Sequence, residues 1–174
     1  MTISNNHFER LGLPRRFSID LAELERLYLA KSREVHPDFH SLASADAQAE
    51  SLAETAAVNE AYITLKDPFR RADYLLQLLG GPTAAQHKDL TQMFLMEMMD
   101  LREELEQAKV SNSEEAVGKM ERDLTQRFDD AMKSVAKQFE KIATGGEAEA
   151  IFLQIRKELN AAKVIRGLLR DVHN

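Results

Sequence analysis

His36, Pro37 and Asp38 put an imidazole, a stiff ring and a carboxylate within three residues. A neutral imidazole has one donor and one acceptor and titrates near neutral pH, while the ionised carboxylate only accepts. Proline fixes its own φ and biases the residue before it away from helical geometry. Three uses are open to such a set. It can be a rigid tip that another protein reads, one end of a catalytic or metal site completed by His40, or a plain polar turn. The second is the weakest on geometry. His36 and His40 have the spacing at which a helix aligns two ligands, but Pro37 breaks the helix between them. No further acid, base or ligand group converges on them in the sequence. Three residues alone do not choose between tip and turn, so the flanking segments carry the decision.

Composition narrows the field first. The chain has 174 residues, a net charge of −6 and no cysteine. That length suits one domain or two small ones. Without thiolates there is no disulfide and no Cys-ligated zinc or iron–sulfur cluster, and no cofactor is expected. The acidic balance and scattered basic residues argue against nucleic acid. No apolar run reaches membrane-spanning length, so no membrane partner is expected. The first residues, Met1 to Asn6, are neither a signal peptide nor an Arg-rich transit sequence, and a bacterial-like cytoplasmic protein is expected. Ala, Leu, Glu, Lys and Met dominate, and no alternating β-branched run is bounded by turns. The chain reads as all-α.

The elements that position the tripeptide follow from periodicity and stop signals. Phe8 and Leu11, ahead of Gly12 and Pro14, predict a short first helix. Asp20 is an N-cap candidate with Glu23 as a capping-box partner. Leu21, Leu24, Tyr28 and Val35 then share one arc, with Arg26 and Arg33 on the opposite side. On charge alone those arginines are an ordinary solvated face. Pro37 ends this helix. A second long helix is predicted from about Ser44 to Lys66, buried along Leu52, Thr55, Val58, Tyr62 and Leu65, with Ala61 beside them. Two long helices joined by a short loop pack antiparallel, which places His36-Pro37-Asp38 at the tip of a hairpin. Asp67-Pro68 starts a further helix carrying Ala72, Leu75, Leu76 and Leu79, and Gly80-Gly81-Pro82 ends it.

With these residues in place the chain resembles a family. His7 to Pro14, His36-Pro37-Asp38, Asn59-Glu60-Ala61-Tyr62-Ile63-Thr64-Leu65 and Asp67 to Leu76 stand in the order and spacing of a J-domain. The last of these motifs resembles, more narrowly, the HscB-type J-protein of iron–sulfur cluster assembly. The resemblance implies a co-chaperone that stimulates the ATPase of a DnaK/HscA-type chaperone and is not itself an enzyme. It gives His36, Pro37 and Asp38 the triggering role. It gives Arg26 and Arg33 an electrostatic docking role on the solvent side of the helix. Phe39 and His40 stand where J-domains commonly carry a basic residue.

The second half holds one unusual face. From Leu90 to Lys109, Phe94, Met98, Leu101, Leu105 and Ala108 form the stripe a packed helix needs. Leu95, Met96 and Met99 fall outside it as a second apolar patch, edged by Asp100, Glu103 and Gln107. A helix buried on two sides gives the same pattern. A Met-rich binding surface is the alternative, and the residues leave the two balanced. Phe94-Leu95-Met96-Glu97 followed by Leu101-Arg102-Glu103-Glu104-Leu105 resembles the family's helix that binds an IscU-type scaffold. The resemblance implies Leu95, Met96, Met99, Asp100, Glu103 and Gln107 as contacts, with Val164 on the last helix in the place of a family aromatic. Met99 and Gln107 replace a commoner leucine and glutamate, and Asp100 is a shorter acid.

Two further helices complete the prediction. Ser113-Glu114-Glu115 opens one with the stripe Val117, Met120, Leu124, Phe128, Ala131, Val135, Phe139 and Ile142, ending at Gly145-Gly146. The last, from about Glu147, carries Ile151, Ile155, Leu159, Ala162 and Leu169. The predicted organisation is a J-domain at 1–80, a linker at 81–87 and a three-helix client-binding bundle at 88–174, in an L-shaped molecule whose modules share apolar contact through Leu75 and Leu76. A general J-domain protein whose bundle binds a different client is the competing expectation.

Overall fold

The computed structural model describes residues 6–35, 44–145 and 147–174. Among them the chain forms seven α-helices and no strand. Asn6 caps the first, its Oδ1 accepting the Glu9 N–H at 3.0 Å, and α1 runs His7–Arg10. It stops at Gly12, whose φ of 69° only glycine adopts freely, while the Leu13 N–H closes onto the Phe8 carbonyl at 2.8 Å. α2 spans Leu21–Val35 and α3 Ala45–Lys66. Asp20 caps α2 as predicted, its Oδ1 accepting the Ala22 and Glu23 N–H groups at 2.8 and 3.4 Å. Glu23 does not complete a capping box; its carboxylate takes the Arg26 guanidinium instead.

α2 and α3 run antiparallel. Val35 at the end of α2 meets Ser51 and Thr55 near the start of α3, whereas Tyr28 meets Asn59 and Tyr62 further along. Leu24, Val58, Ala61 and Leu65 are fully buried between the elements of this unit. Two predicted core positions are not buried. Leu21 is 51% exposed, because the antiparallel register carries it past the last residue of α3. Leu52 is 64% exposed, because the inward position beside it belongs to Ser51.

Polar links then latch the unit. Arg10 on α1 forks onto both oxygens of Glu54 on α3 at 2.9 and 2.8 Å. Tyr28 and Tyr62 stack at 4.0 Å, and the Tyr28 hydroxyl donates to Asn59 at 3.0 Å. α4, Pro68–Leu78, is capped by Asp67, which accepts the Arg70 N–H at 3.0 Å. From α4, Arg71 reaches inward: it donates to the Leu65 carbonyl at the end of α3 and lies 5.0 Å from the Phe17 ring centre. Its burial lowers its pKa, partly opposed by Asp67. α4 ends in a Schellman turn, with Gly80 at φ 89° and the Gly81 N–H on the Leu76 carbonyl at 2.9 Å. A Cβ at Gly81 would run into the Leu76 side chain.

Two compact units divide the chain, Met1–Leu75 and Leu76–Asn174. The division falls inside α4, ahead of the glycine pair. The second unit holds α5 (Gln92–Val110), α6 (Glu114–Ala143) and α7 (Ala148–His173), each packed on the other two. Arg127 on α6 pairs with Glu97 on α5, and His173 on α7 lies 3.4 Å from Glu121 on α6, so α6 runs against both neighbours. Met98, Leu105, Leu124, Ile165, Leu168 and Val172 form the buried core at one end of this bundle. Along α7 the buried line continues from Ile155, Leu159 and Ala162 through Ile165, Leu168 and Val172, leaving the predicted Leu169 at its edge. Asn160, also buried, donates to the His87 carbonyl at 2.8 Å and ties the segment before α5 onto α7. Among the described residues no helix is long and apolar enough to cross a membrane.

Candidate protein-binding surfaces

The first candidate surface belongs to α2. Burial of Leu24, with Tyr28 and Val35 half-buried, turns the opposite side of the helix outward. Arg26 and Arg33 are both exposed there, with Leu29 and Ala30 between them. Arg26 is held one turn back by Glu23, at 3.0 and 2.7 Å, and that hydrogen bond draws the Glu23 carboxyl below its ordinary range. His36, Pro37 and Asp38, like Phe39 and His40, lie outside the described residues. The backbone just before them is described. The Val35 carbonyl accepts the Ser51 hydroxyl at 2.7 Å and the Thr55 hydroxyl at 3.0 Å. Among the described residues no group of three or more His, Cys, Asp or Glu is placed to hold a metal ion.

The second candidate surface belongs to α5. Thr91 caps the helix, its Oγ1 accepting the Phe94 N–H at 3.2 Å. Met98, Leu105 and Ala108 are buried and Phe94 and Leu101 half-buried, so the predicted stripe faces the bundle. The other apolar patch faces solvent: Leu95 is 42%, Met96 58% and Met99 65% exposed. Burial on two sides, the competing reading of this pattern, is thereby excluded for this helix. Asp100, Glu103 and Gln107 are exposed on the same side. The helix charges nearer the bundle are spent on neighbours, Glu97 on Arg127 at 2.6 Å and Arg102 on Asp171 at 2.8 Å. Val164, on α7, is half-buried and packed against the bundle core.

Sequence reasoning missed two things. Met93, 81% exposed, extends the α5 patch by one turn towards the cap. The helical wheel places it beside Met96 and Asp100, so the signal was present. Ser51 was passed over in favour of Leu52, and its role depends on Val35, sixteen residues away.

This arrangement has solved counterparts. The chain is 34% identical over 168 residues to a co-chaperone protein HscB homolog of Vibrio cholerae serotype O1, an alignment that covers 96% of this chain and 94% of that one. It belongs to the HscB co-chaperone family. Co-chaperone protein HscB of Proteus mirabilis is 33% identical over 159 residues, covering 88% of this chain and 92% of the relative. The family model described as the HSCB C-terminal oligomerisation domain matches residues 90–163, which span α5, α6 and most of α7. The fold agrees. The chaperone HscB structure from Vibrio cholerae superposes with a TM-score of 0.81 at 32% identity, covering 97% of this chain and 95% of that one. Human co-chaperone protein HscB gives 0.85 at 26% identity, covering 99% and 83%. The all-α J-domain-plus-bundle architecture of the family is thus the architecture of this chain.

Proposed function

We propose that this co-chaperone is a two-ended adaptor. Residues 1–80 act as a J-domain that stimulates the ATPase of a DnaK/HscA-type chaperone. Residues 81–87 link it to a bundle, 88–174, that delivers an IscU-type scaffold protein during iron–sulfur cluster biogenesis and transfer. The chain performs no catalysis of its own. His36, Pro37 and Asp38 trigger the ATPase, and Arg26 and Arg33 supply basic charge for docking. Leu95, Met96, Met99, Asp100, Glu103 and Gln107 hold the scaffold, with Val164 bordering the contact.

The observation that carries this reading is the solvent-facing apolar patch on α5, on the side of the helix away from the core. An exposed Leu-Met-Met group edged by acids has no use in the packing of its own bundle, and flexible methionines suit a protein surface. Holding client and ATPase on one chain converts their encounter into a local one and raises effective concentration. Stimulation itself requires the corner to bind the hydrolysis-competent state of the ATPase better than the other state, because equal affinity shifts nothing.

The test measures steady-state ATPase of an HscA-type chaperone with and without this protein, and with His36→Gln. Stimulation that disappears with the substitution supports the reading; stimulation that is absent, or survives it, removes the J-domain role. Titration with an IscU-type scaffold tests the other end. A failure of the intact protein to bind moves the bundle to a different client.

A further inference from the structure

We infer that Ser51 and Thr55 of α3 are positioning residues for the chaperone-triggering corner; this rests on the ATPase reading above. A helix leaves its last four carbonyls without intrahelical donors. Here the sequence stops the helix, because Pro37 has no N–H to offer the Arg33 carbonyl and biases His36 out of helical geometry. The Val35 carbonyl is the last described backbone acceptor before His36. It is held by two side-chain hydroxyls from the neighbouring helix, Ser51 at 2.7 Å and Thr55 at 3.0 Å.

The two hydroxyls are not equivalent. Each has one proton. Thr55 also lies 2.8 Å from the Ser51 carbonyl one turn back, so its proton is divided between two acceptors. Ser51 is 8% exposed and directs its proton to Val35. Ser51 is therefore the main tether and Thr55 its support. Both sit one turn apart on the face of α3 that also carries Val58 and Tyr62, and Tyr62 stacks on Tyr28 of α2. The ring stack and the fully buried Val58 fix the middle of the helix pair, while the hydroxyls fix its tip. The point from which the chain enters His36-Pro37-Asp38 is thereby tied to α3 as well as to α2. Apolar residues at 51 and 55 would pack but would not specify where the carbonyl stops.

The experiment uses the full chain carrying Ser51→Ala with Thr55→Val. Saturating stimulation of an HscA-type ATPase should fall about two- to tenfold, the range spanned by one or two neutral hydrogen bonds. Titration with the IscU-type scaffold should not change. Ser51→Thr, which keeps the hydroxyl, should restore stimulation. The carbonyl carbon resonance of Val35 should move upfield in Ser51→Ala and return in Ser51→Thr. Val58→Ala is the control for lost stability: it weakens the same helix pair, leaves the tether in place and should keep its stimulation below its melting transition. Full stimulation by the double variant overturns the positioning role. So does a loss that Val58→Ala matches at equal melting temperature. If the unaltered protein fails to stimulate, or His36→Gln still does, it is the ATPase reading that falls. The Val35 resonance then still decides whether the two hydroxyls hold that carbonyl.

Discussion

The two units hold themselves together by different means. Unit Met1–Leu75 is latched by directed polar contacts between its helices: Arg10 to Glu54, Tyr28 to Asn59, Arg71 to Leu65, and Ser51 and Thr55 to Val35. Unit Leu76–Asn174 is zipped by apolar stripes along three long helices, with its ion pairs Arg102–Asp171 and Arg127–Glu97 on exposed side chains at the rim. A stripe fixes which face of a helix points inward but tolerates small slides along the axis. A hydrogen bond fixes a particular atom. In the first unit the second kind of restraint holds the Val35 carbonyl, the last described backbone acceptor before His36. The second unit presents a broad patch of flexible side chains, for which the first kind suffices.

The contrast breaks most visibly in the zipped unit. Leu105 is fully buried in its core, so Leu105→Ala should destabilise that unit by about 2–5 kcal/mol. Chemical denaturation should show this as a lower midpoint for its transition. The patch on the other side of α5 should behave in the opposite way. Met96→Ala with Met99→Ala should weaken scaffold binding by about ten- to a hundredfold. Stability should stay within about 0.5 kcal/mol of the parent, because both side chains are already largely in water. A large drop in stability would show that the patch serves packing.

Smaller effects test the latches. Glu54→Gln removes the forked pair with Arg10, whose side chains are 38% and 15% exposed, so solvent screens part of the attraction. A cost of about 0.5–1 kcal/mol in the first unit is expected, with scaffold binding unchanged. The smallest effect is a pH dependence at His7. This ring stacks on Tyr74 at 4.3 Å, and its backbone N–H donates to the Tyr74 hydroxyl. Burial lowers its pKa below the ordinary 6.5; Glu60 partly opposes this and Arg10 adds to it. Below that ordinary value the unfolded chain takes up a proton that the folded chain refuses. The contribution is therefore whole above pH 6.5 and declines as pH falls towards the folded pKa. Thermal melts of His7→Gln should lose this part of the slope while keeping the rest.

Much of this was legible in the sequence, and the reason is local. Capping chemistry, proline stops and helical periodicity act within a turn or two. Asp20, Ser44, Asp67 and Ser113 each cap the helix that follows, and the inward stripe of α5 is buried or half-buried as the wheel requires. The outward position of Leu95, Met96 and Met99 was only half legible. The wheel separated them from the stripe but could not say whether a third element covered them. That is a property of the surroundings, and the packing of α6 and α7 decided it. The same limit explains Leu21 and Leu52, which carry the right period and lack a neighbour to bury them. It also explains Ser51, whose polarity reads as surface until α2 brings the Val35 carbonyl to it. Among the described residues the sequence alone determined the helices, several of their caps and most of their apolar faces, because those depend on contacts between near neighbours along the chain. Which faces stayed open, and which hydroxyls met which carbonyl, was decided by tertiary packing, because burial and hydrogen-bond pairing are properties of atoms brought together from distant parts of the chain.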